Sequence, residues 1–308
     1  MISHCYVRFP NEKILPMKVL QFTIPVAKEN SIVVQEDILP HFYDHLHRHY
    51  ETQITWVLKG EGTLIAGNYM KQFKSGDIYI LGANQPHIFK SDPAYFDKRR
   101  KKEIHNITIF FNPDGLLMQL LDLPEMKNIR KFVTSTASGF KIPAADCDLV
   151  SEYITKVKNS KGALRVAAFI EMLQELSGVK NLAPLANASN EHLITDTEGL
   201  RMNDIYQYTM DNYTDNISLK KIASIAHLTP HAFCRYFKKH TRKTYVTFLN
   251  EIRINEACKI MLGGNFENIA SVAYDTGFSN AVTFNRVFKK VVGKSPREYI
   301  REYIQRVD

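Results

Sequence analysis

The feature that most restricts the fold of this 308-residue chain is a pattern near its C-terminus that occurs twice. Over residues 268–303 it runs Ile269-Ala270-Ser271-Val272-Ala273, then Asp275-Thr276-Gly277-Phe278-Ser279, then Phe284-Asn285-Arg286-Val287-Phe288-Lys289-Lys290. Gly293-Lys294-Ser295-Pro296-Arg297-Glu298-Tyr299 closes it. Phe284, Val287, Phe288 and Val291 recur at i, i+3, i+4, i+7, which predicts one apolar helix face. Ala281, Val282, Asn285, Arg286 and Lys289 fall on another face. Gly277 can supply the positive φ of a sharp turn between helices. Ser295-Pro296-x-Glu298 reads as a capping box with proline at the first helical position, so a further helix starts there. Helix, turn and a second helix with one face left over is a helix-turn-helix, and such a second helix fits the DNA major groove.

The blocks recur upstream. Ile222-Ala223-Ser224-Ile225-Ala226 is matched to 269–273, Phe233-Cys234-Arg235-Tyr236-Phe237-Lys238-Lys239 to 284–290, and Thr244 and Phe248-Leu249 to Ser295 and Tyr299-Ile300. Three matched blocks in one order imply a duplicated unit. A helix over 244–262, closed by Gly263-Gly264, joins the copies and spans about 28 Å. One turn of B-DNA is about 34 Å, so two such helices can enter successive major-groove segments.

On these residues, 200–308 resembles the double helix-turn-helix domain of AraC-type transcription regulators. The most specific part is Ile269-Ala270-x-x-Ala273-x-x-x-Gly277-Phe278-x(5)-Phe284-x-Arg286-x-Phe288-Lys289-x(3)-Gly293-x-Ser295-Pro296-x-x-Tyr299. The resemblance puts base-reading positions at His231, Cys234 and Arg235, and at Ala281, Val282, Asn285 and Arg286. Arginine can bridge guanine O6 and N7, and asparagine adenine N6 and N7. His231, Cys234, Arg235 and Lys238 also form an i, i+3, i+4, i+7 stripe opposite Phe233, Tyr236 and Phe237. Lys238 and Lys289 extend the two stripes, and Lys239, Lys290 and Lys294 are assigned to phosphates or to solvated helix ends. Two departures stand out. The first turn, His227-Leu228, lacks glycine, and cysteine is a weak base reader.

Charge is uneven along the chain. Residues 200–308 hold 17 Lys+Arg against 10 Asp+Glu, and the first 199 hold 23 against 22, so nearly all of the net +8 lies in the tail. Cations there would neutralise phosphates; a solvated basic face is the plain alternative. No apolar run approaches the length of a membrane span. The start, Met1-Ile2-Ser3-His4-Cys5, carries no secretory pattern. Cys5, Cys147, Cys234 and Cys258 lack disulfide or metal spacing. A cytoplasmic location is expected.

Residues 41–111 read as short strands: Ile54 to Leu58, Thr63 to Ala66, Tyr69 to Phe73, Ile78 to Leu81, His87 to Phe89 and Ile104 to Phe111, divided by Gly- and Asn-containing turns. Ile32-Val33-Val34 and Val19 to Phe22 are further candidates. Such spacing suggests a sandwich or barrel. Lys98-Arg99-Arg100-Lys101-Lys102 reads as a solvated loop. His47-Arg48-His49-x-x-x-Gln53 and Pro86-His87 resemble the two half-motifs of a cupin barrel. That resemblance implies an effector pocket at His47, His49, Gln53 and His87. Gln53 stands where an acidic ligand is expected and is a poorer metal donor. A metal-free pocket, a pocket whose metal candidates are His47, His49 and His87, and merely satisfied barrel residues all stay open. After Pro113 the period is helical. Leu116, Leu117, Leu120 and Leu121 make a short apolar face, and 148–157 and 163–176 make two amphipathic helices that cover the barrel or pair two chains.

The expected fold is therefore two domains: an N-terminal all-β cupin-like barrel with flanking helices over 1–178, and a C-terminal all-α double helix-turn-helix over 200–308. Residues 179–199 are the expected linker, with a helical turn near Glu191. The expected protein is a regulator, not an enzyme, without cofactor. Its partners would be promoter DNA in the major groove, a small-molecule effector, a second copy of the chain and RNA polymerase. Two other readings are a cupin metal-dependent enzyme with an appended helical domain, and a tail that is a protein-interaction bundle.

Overall fold

The β-branched and aromatic runs between the turns become antiparallel strands: β1 (Ile32–Leu39), β2 (Thr52–Lys59), β3 (Gly62–Ala66), β4 (Tyr69–Phe73), β5 (Ile78–Leu81), β6 (His87–Ser91) and β7 (Ile104–Phe111). Two short strands, β8 (Phe140–Lys141) and β9 (Ala183–Pro184), complete the set. The structure, a computed structural model, describes Thr23, Val26 and residues 30–97, 99, 101–185, 195–264 and 266–307. The strand expected at 19–22 and the helical turn at Glu191 lie outside the described residues.

These strands form a six-stranded sheet, β1-β7-β2-β5-β8-β9, and a three-stranded sheet, β4-β3-β6. Among the described residues they do not close into the expected cupin-like barrel. An isolated antiparallel bridge joins His47 to His87 at the start of β6. Alternation decides what each face meets. Val57, Leu64, Tyr79, Leu81 and Phe89 point between the sheets and pack with Phe42, Phe73 and Leu185. Ile54, Ile78, Ile80, Ile107 and Ile109 point the other way, under helices α1 (Leu117–Leu121), α2 (Lys127–Ser135), α3 (Cys147–Asn159) and α4 (Gly162–Gly178). Both faces of the six-stranded sheet are thus covered, which is why β5, Ile78 to Leu81, reads as an unbroken apolar run. Leu116 lies outside that packing and is exposed, so the four-leucine face is narrower than expected.

The tail is helical throughout: α5 (Asp196–Asn212), α6 (Leu219–Ile225), α7 (Pro230–Thr241), α8 (Tyr245–Gly263), α9 (Ile269–Asp275), α10 (Ala281–Val292) and α11 (Pro296–Val307). The expected linker carries structure at both ends. Ala183–Pro184 pairs with β8, and α5 starts at Asp196 from a Thr195/Glu198 capping box. Its Asn, Ala, Ser and Pro content hides the cap and the buried Leu185. Helix α8 runs from N-cap Thr244 to Gly264 at φ +70, so the joining helix is continuous.

The outer face of the three-stranded sheet is not left to solvent. Leu46, Ile65, Met70 and Ile88 share one apolar cluster with Met202, Ile205 and Tyr206 of α5 and with the core of the first helix-turn-helix. Further along, Gln72 Nε2 donates to the carbonyl of Asn255, and Lys259 pairs with Asp92 at 2.5 Å. The second helix-turn-helix has a separate core of Ile254, Ala257, Val272, Phe278, Phe284 and Phe288.

Candidate nucleic-acid interface

Each reading helix is fixed by the same three devices. First, an N-cap side chain starts it: Thr229 accepts from the Ala232 N–H at 3.3 Å, and Asn280 from the Thr283 N–H at 2.8 Å. Each satisfies a backbone donor the helix leaves unpaired. Second, two phenylalanines one turn apart anchor the inner face. Phe233 and Phe237 pack against Tyr245, each with ring centroids 5.5 Å away. Phe284 and Phe288 are likewise fully buried. Third, a left-handed residue stops the helix. Arg242 at φ +60 donates its N–H to the Lys238 carbonyl, and Gly293 at φ +87 to that of Lys289.

The turns before these helices are also alike, although only one contains glycine. His227 sits at φ +53 and Gly277 at φ +86. The Leu228 N–H reaches the Ala223 carbonyl at 2.9 Å, and the Phe278 N–H reaches that of Ala273 at 2.9 Å. The missing glycine therefore does not change the turn. It leaves a histidine in a conformation that costs an L-residue about 1–2 kcal/mol.

These bonds also correct the internal alignment. Ala223 corresponds to Ala273, and N-cap Ser218 to N-cap Asn268. The first helices are 50 residues apart, not the 47 of the Ile-Ala-x-x-Ala match. The reading helices are 51 apart, because the second turn holds one more residue before its cap.

The stripes predicted to face DNA are placed outward. His231, Cys234, Arg235 and Lys238 are exposed on α7, and Val282, Asn285, Arg286 and Lys289 on α10. Ala281 is half-buried at the start of α10, whereas Val282 is 80% exposed. Val291, expected in the apolar face, lies at its edge and is exposed. Among the described residues no carboxylate forms an ion pair with Arg235, Lys238, Arg286, Lys289 or Lys290. The other assigned cations differ. Lys239 is 3.8 Å from Glu198, and Lys294 is 2.5 Å from Glu302. Ser295 and Glu298 form the predicted capping box at the start of α11.

In the N-terminal domain the structure brings His47, His49, Gln53 and His87 together. The ring centroids of His47 and His87 are 4.4 Å apart, and those of His49 and His87 5.1 Å. Burial holds His47 down to about 4, His49 below its ordinary value and His87 well below it, so all three are neutral near pH 7. The tautomers of His47 and His87 follow: Nδ1 of His47 donates to the His45 carbonyl and that of His87 to the Gln85 carbonyl. Nδ1 of His49 faces the Glu51 carbonyl and its Nε2 the Gln53 side-chain oxygen, at 2.7 Å, while Gln53 Nε2 donates to the Thr55 hydroxyl. Thr108 bonds Thr55 and Asn106 bonds Thr108, which completes a buried polar chain without a charge. Nε2 of His87 stands outside it, fully buried and without a partner among the described residues.

That donor set does not fit a resident metal. Nε2 of His49 is engaged by Gln53. No group of three or more His, Cys, Asp or Glu among the described residues is placed to hold an ion. Nor is any described helix long and apolar enough to cross a membrane.

A capped twofold reading surface with free cations defines a helix-turn-helix DNA-binding protein, and a helix-turn-helix domain family matches residues 222–302. An uncharacterized HTH-type transcriptional regulator of Bacillus subtilis, YfiF, is 22% identical over 263 residues, covering 83% of this chain and 78% of its own. A Staphylococcus aureus protein of the same description is 25% identical over 250 residues. There the match covers 80% of this chain but 31% of the relative, so the chain spans about a third of such proteins. Among solved structures, ToxT from Vibrio cholerae O395 is 18% identical, with 88% of this chain and 97% of that one covered and a TM-score of 0.35. A transcriptional regulator with an AraC-type DNA-binding domain from Chromobacterium violaceum is 19% identical over 34% of this chain and 94% of its own, with a TM-score of 0.32. Residues 222–302 thus match a helix-turn-helix domain family, and the chain is similar to HTH-type transcriptional regulators.

Sequence reasoning missed the contact between α5 and residues 44–48. Its signal was present as two periods: Asp44, Leu46 and Arg48 alternate along a short segment, and Asp196, Asn203 and Gln207 share one helical face.

Proposed function

We propose that this regulator reads an operator through α7 and α10 and is controlled by a small molecule held between the two sheets. The observation that carries the DNA reading is that Arg235 and Arg286, 51 residues apart, both lie exposed and free of ion pairs beside capped, phenylalanine-anchored helices. In this reading Arg235, Arg286 and Asn285 contact base edges, with His231, Cys234, Ala281 and Val282 beside them. Lys238, Lys289 and Lys290 contact phosphates. Val282 offers only an apolar contact, suited to a thymine methyl.

The effector reading rests on His87. A buried polar atom without a partner costs about 1–3 kcal/mol, a cost that a ligand bringing an O–H or N–H donor to Nε2 removes. The surrounding amides, hydroxyls and neutral imidazoles favour an uncharged ligand over a carboxylate. Helices α3 and α4 would pair two chains, and the protein would act in the cytosol beside RNA polymerase, without catalysis of its own.

The test is operator selection from random DNA followed by titration at physiological salt. The selected sequence should bind at least about a thousandfold tighter than random DNA. Equal affinity would end this reading, and retention by an Arg235→Ala, Arg286→Ala variant would favour a protein-binding tail.

A further inference from the structure

Between the histidines and the first reading helix lies a short segment, residues 44–48, with a different neighbour on each side. Its inner side belongs to the pocket. His47 exchanges both backbone hydrogen bonds with His87, at 3.1 and 2.9 Å, so the two imidazoles share one antiparallel rung. Its outer side faces α5 at three successive alternate residues. The carbonyl of Asp44 accepts from Gln207 Nε2. The Leu46 N–H donates to Asn203 Oδ1 at 2.9 Å. Arg48 pairs with Asp196 at 3.1 Å, and Thr23 donates to the same carboxylate at 2.7 Å.

The three contacts fall in reverse order along the two elements, 44 with 207, 46 with 203 and 48 with 196, so the segment and the helix run in opposite directions. The flank of α5 beside Asn203 is already committed. Tyr206 stacks on Phe248 at 4.9 Å, and Thr209 bonds the Tyr245 hydroxyl at 3.0 Å, the same tyrosine that packs against Phe233 and Phe237 of α7. One helix thus touches both the pocket's backbone and the reading helix's core. Asn203 is the central rung, 2% exposed, and it ties a side chain to a main-chain amide that has no strand partner of its own.

We infer that Asn203 is a positioning residue that couples the His47–His87 rung to the first helix-turn-helix, so that a change at the histidines moves α5, and α7 with it. This rests on the effector reading above. The rung is the shortest covalent route: His47 is the immediate neighbour of both Leu46 and Arg48.

The test is a double-mutant cycle on the full chain, read as affinity for the selected operator by fluorescence anisotropy. His47→Ala perturbs the pocket, Asn203→Leu removes the acceptor at similar volume, and Asn203→Asp keeps it. The expected result is a shift of about fivefold or more for His47→Ala in the parent and in Asn203→Asp, and a shift within about twofold in Asn203→Leu, with circular dichroism melts confirming that each variant folds. Equal shifts in the Asn203→Leu and parent backgrounds overturn the coupling and leave the effector reading standing. An Asn203→Asp chain that behaves like the Asn203→Leu chain also overturns it. No shift in any background removes the effector reading and the coupling together. Exchange of the Leu46 amide gives a readout free of DNA: it should quicken in Asn203→Leu and stay slow in Asn203→Asp, and unchanged exchange in both overturns the rung.

Discussion

Replacing Gly277 by alanine should damage the protein far more than any change at His227, its counterpart in the other copy. Gly277 has φ +86, and an alanine there pays roughly 1–2 kcal/mol for left-handed backbone. Space adds a second cost. A Cβ at Gly277 would lie 2.7 Å from the Thr214 carbonyl oxygen and 2.8 Å from that of Tyr213. Those carbonyls cannot retreat freely, because Arg253 holds Tyr213 at 2.7 Å through Nε and Asp215 at 2.8 Å through Nη2. Forcing a methyl into such a place costs roughly 1–3 kcal/mol. The two terms give a loss of about 3 kcal/mol, or roughly 10–20 °C in the melting of a domain of this size. The loop at 213–215 joins α5 to α6, so this contact also sets one helix-turn-helix against the other. Operator affinity should fall with stability. At His227 a side chain is already accommodated, and His227→Gly trades relief of the backbone strain against glycine's entropy, for a result between neutral and about 1 kcal/mol stabilising. Urea denaturation of both variants decides the matter. A Gly277→Ala chain within about 0.5 kcal/mol of the parent, or a His227→Gly chain as damaged as Gly277→Ala, would refute the reasoning.

Arg235→Ala and Arg286→Ala should each cost about 1–3 kcal/mol in operator binding and relax the preference at one base pair, checked by selection with each variant. Lys289→Ala should weaken all sequences alike and lower the slope of log affinity against log salt by about 1, checked by titration at several salt concentrations. The buried histidines predict acid sensitivity. Their folded-state values are depressed, so below about 6.5 the unfolded chain takes protons that the folded chain refuses, and stability falls as pH drops from there to about 4 for His47. Between pH 7 and pH 5 the parent should lose roughly 1–2 kcal/mol more than a His47→Gln variant in denaturant titrations.

Much of the tail was legible because caps, turns and phenylalanine spacing are local chemistry. Thr229-Pro230, Ser295-Pro296-x-Glu298 and Phe284/Phe288 announce helix starts and inner faces without tertiary information. The register of the repeat was not so easily read. Ile-Ala-x-x-Ala occurs on a helix whose own period is near three and a half, so a slip of three residues still superposes small and apolar side chains. What fixes the register is the distance from N-cap to left-handed turn, and in the first copy that turn is a histidine. In the N-terminal domain the strand runs were legible from β-branched residues and turns, but the division into two sheets depends on pairing between distant strands. The cluster of His47, His49, Gln53 and His87 was legible as a group; its tautomers and the isolation of His87 Nε2 were not, since they depend on backbone carbonyls.

The three-stranded sheet sets the His47–His87 cluster close to the first helix-turn-helix. Strand residues alternate faces, so His87 and Phe89 look inward while Ile88, between them, packs toward α5. The same holds at Ile65, whose neighbours Leu64 and Ala66 face the interior. A sheet two residues deep in this sense has no inert layer: any displacement of its inner row moves its outer row by the rigidity of the peptide unit. The outer row here is not solvated but buried against the first helix-turn-helix, and close-packed interiors transmit strain. The second helix-turn-helix has its own core and is held to the sheet domain mainly through α8, at Asn255 and Lys259. A signal from the pocket should therefore reach α7 first and α10 second, and base preferences contributed by Arg235 should respond to pocket substitutions more strongly than those contributed by Arg286.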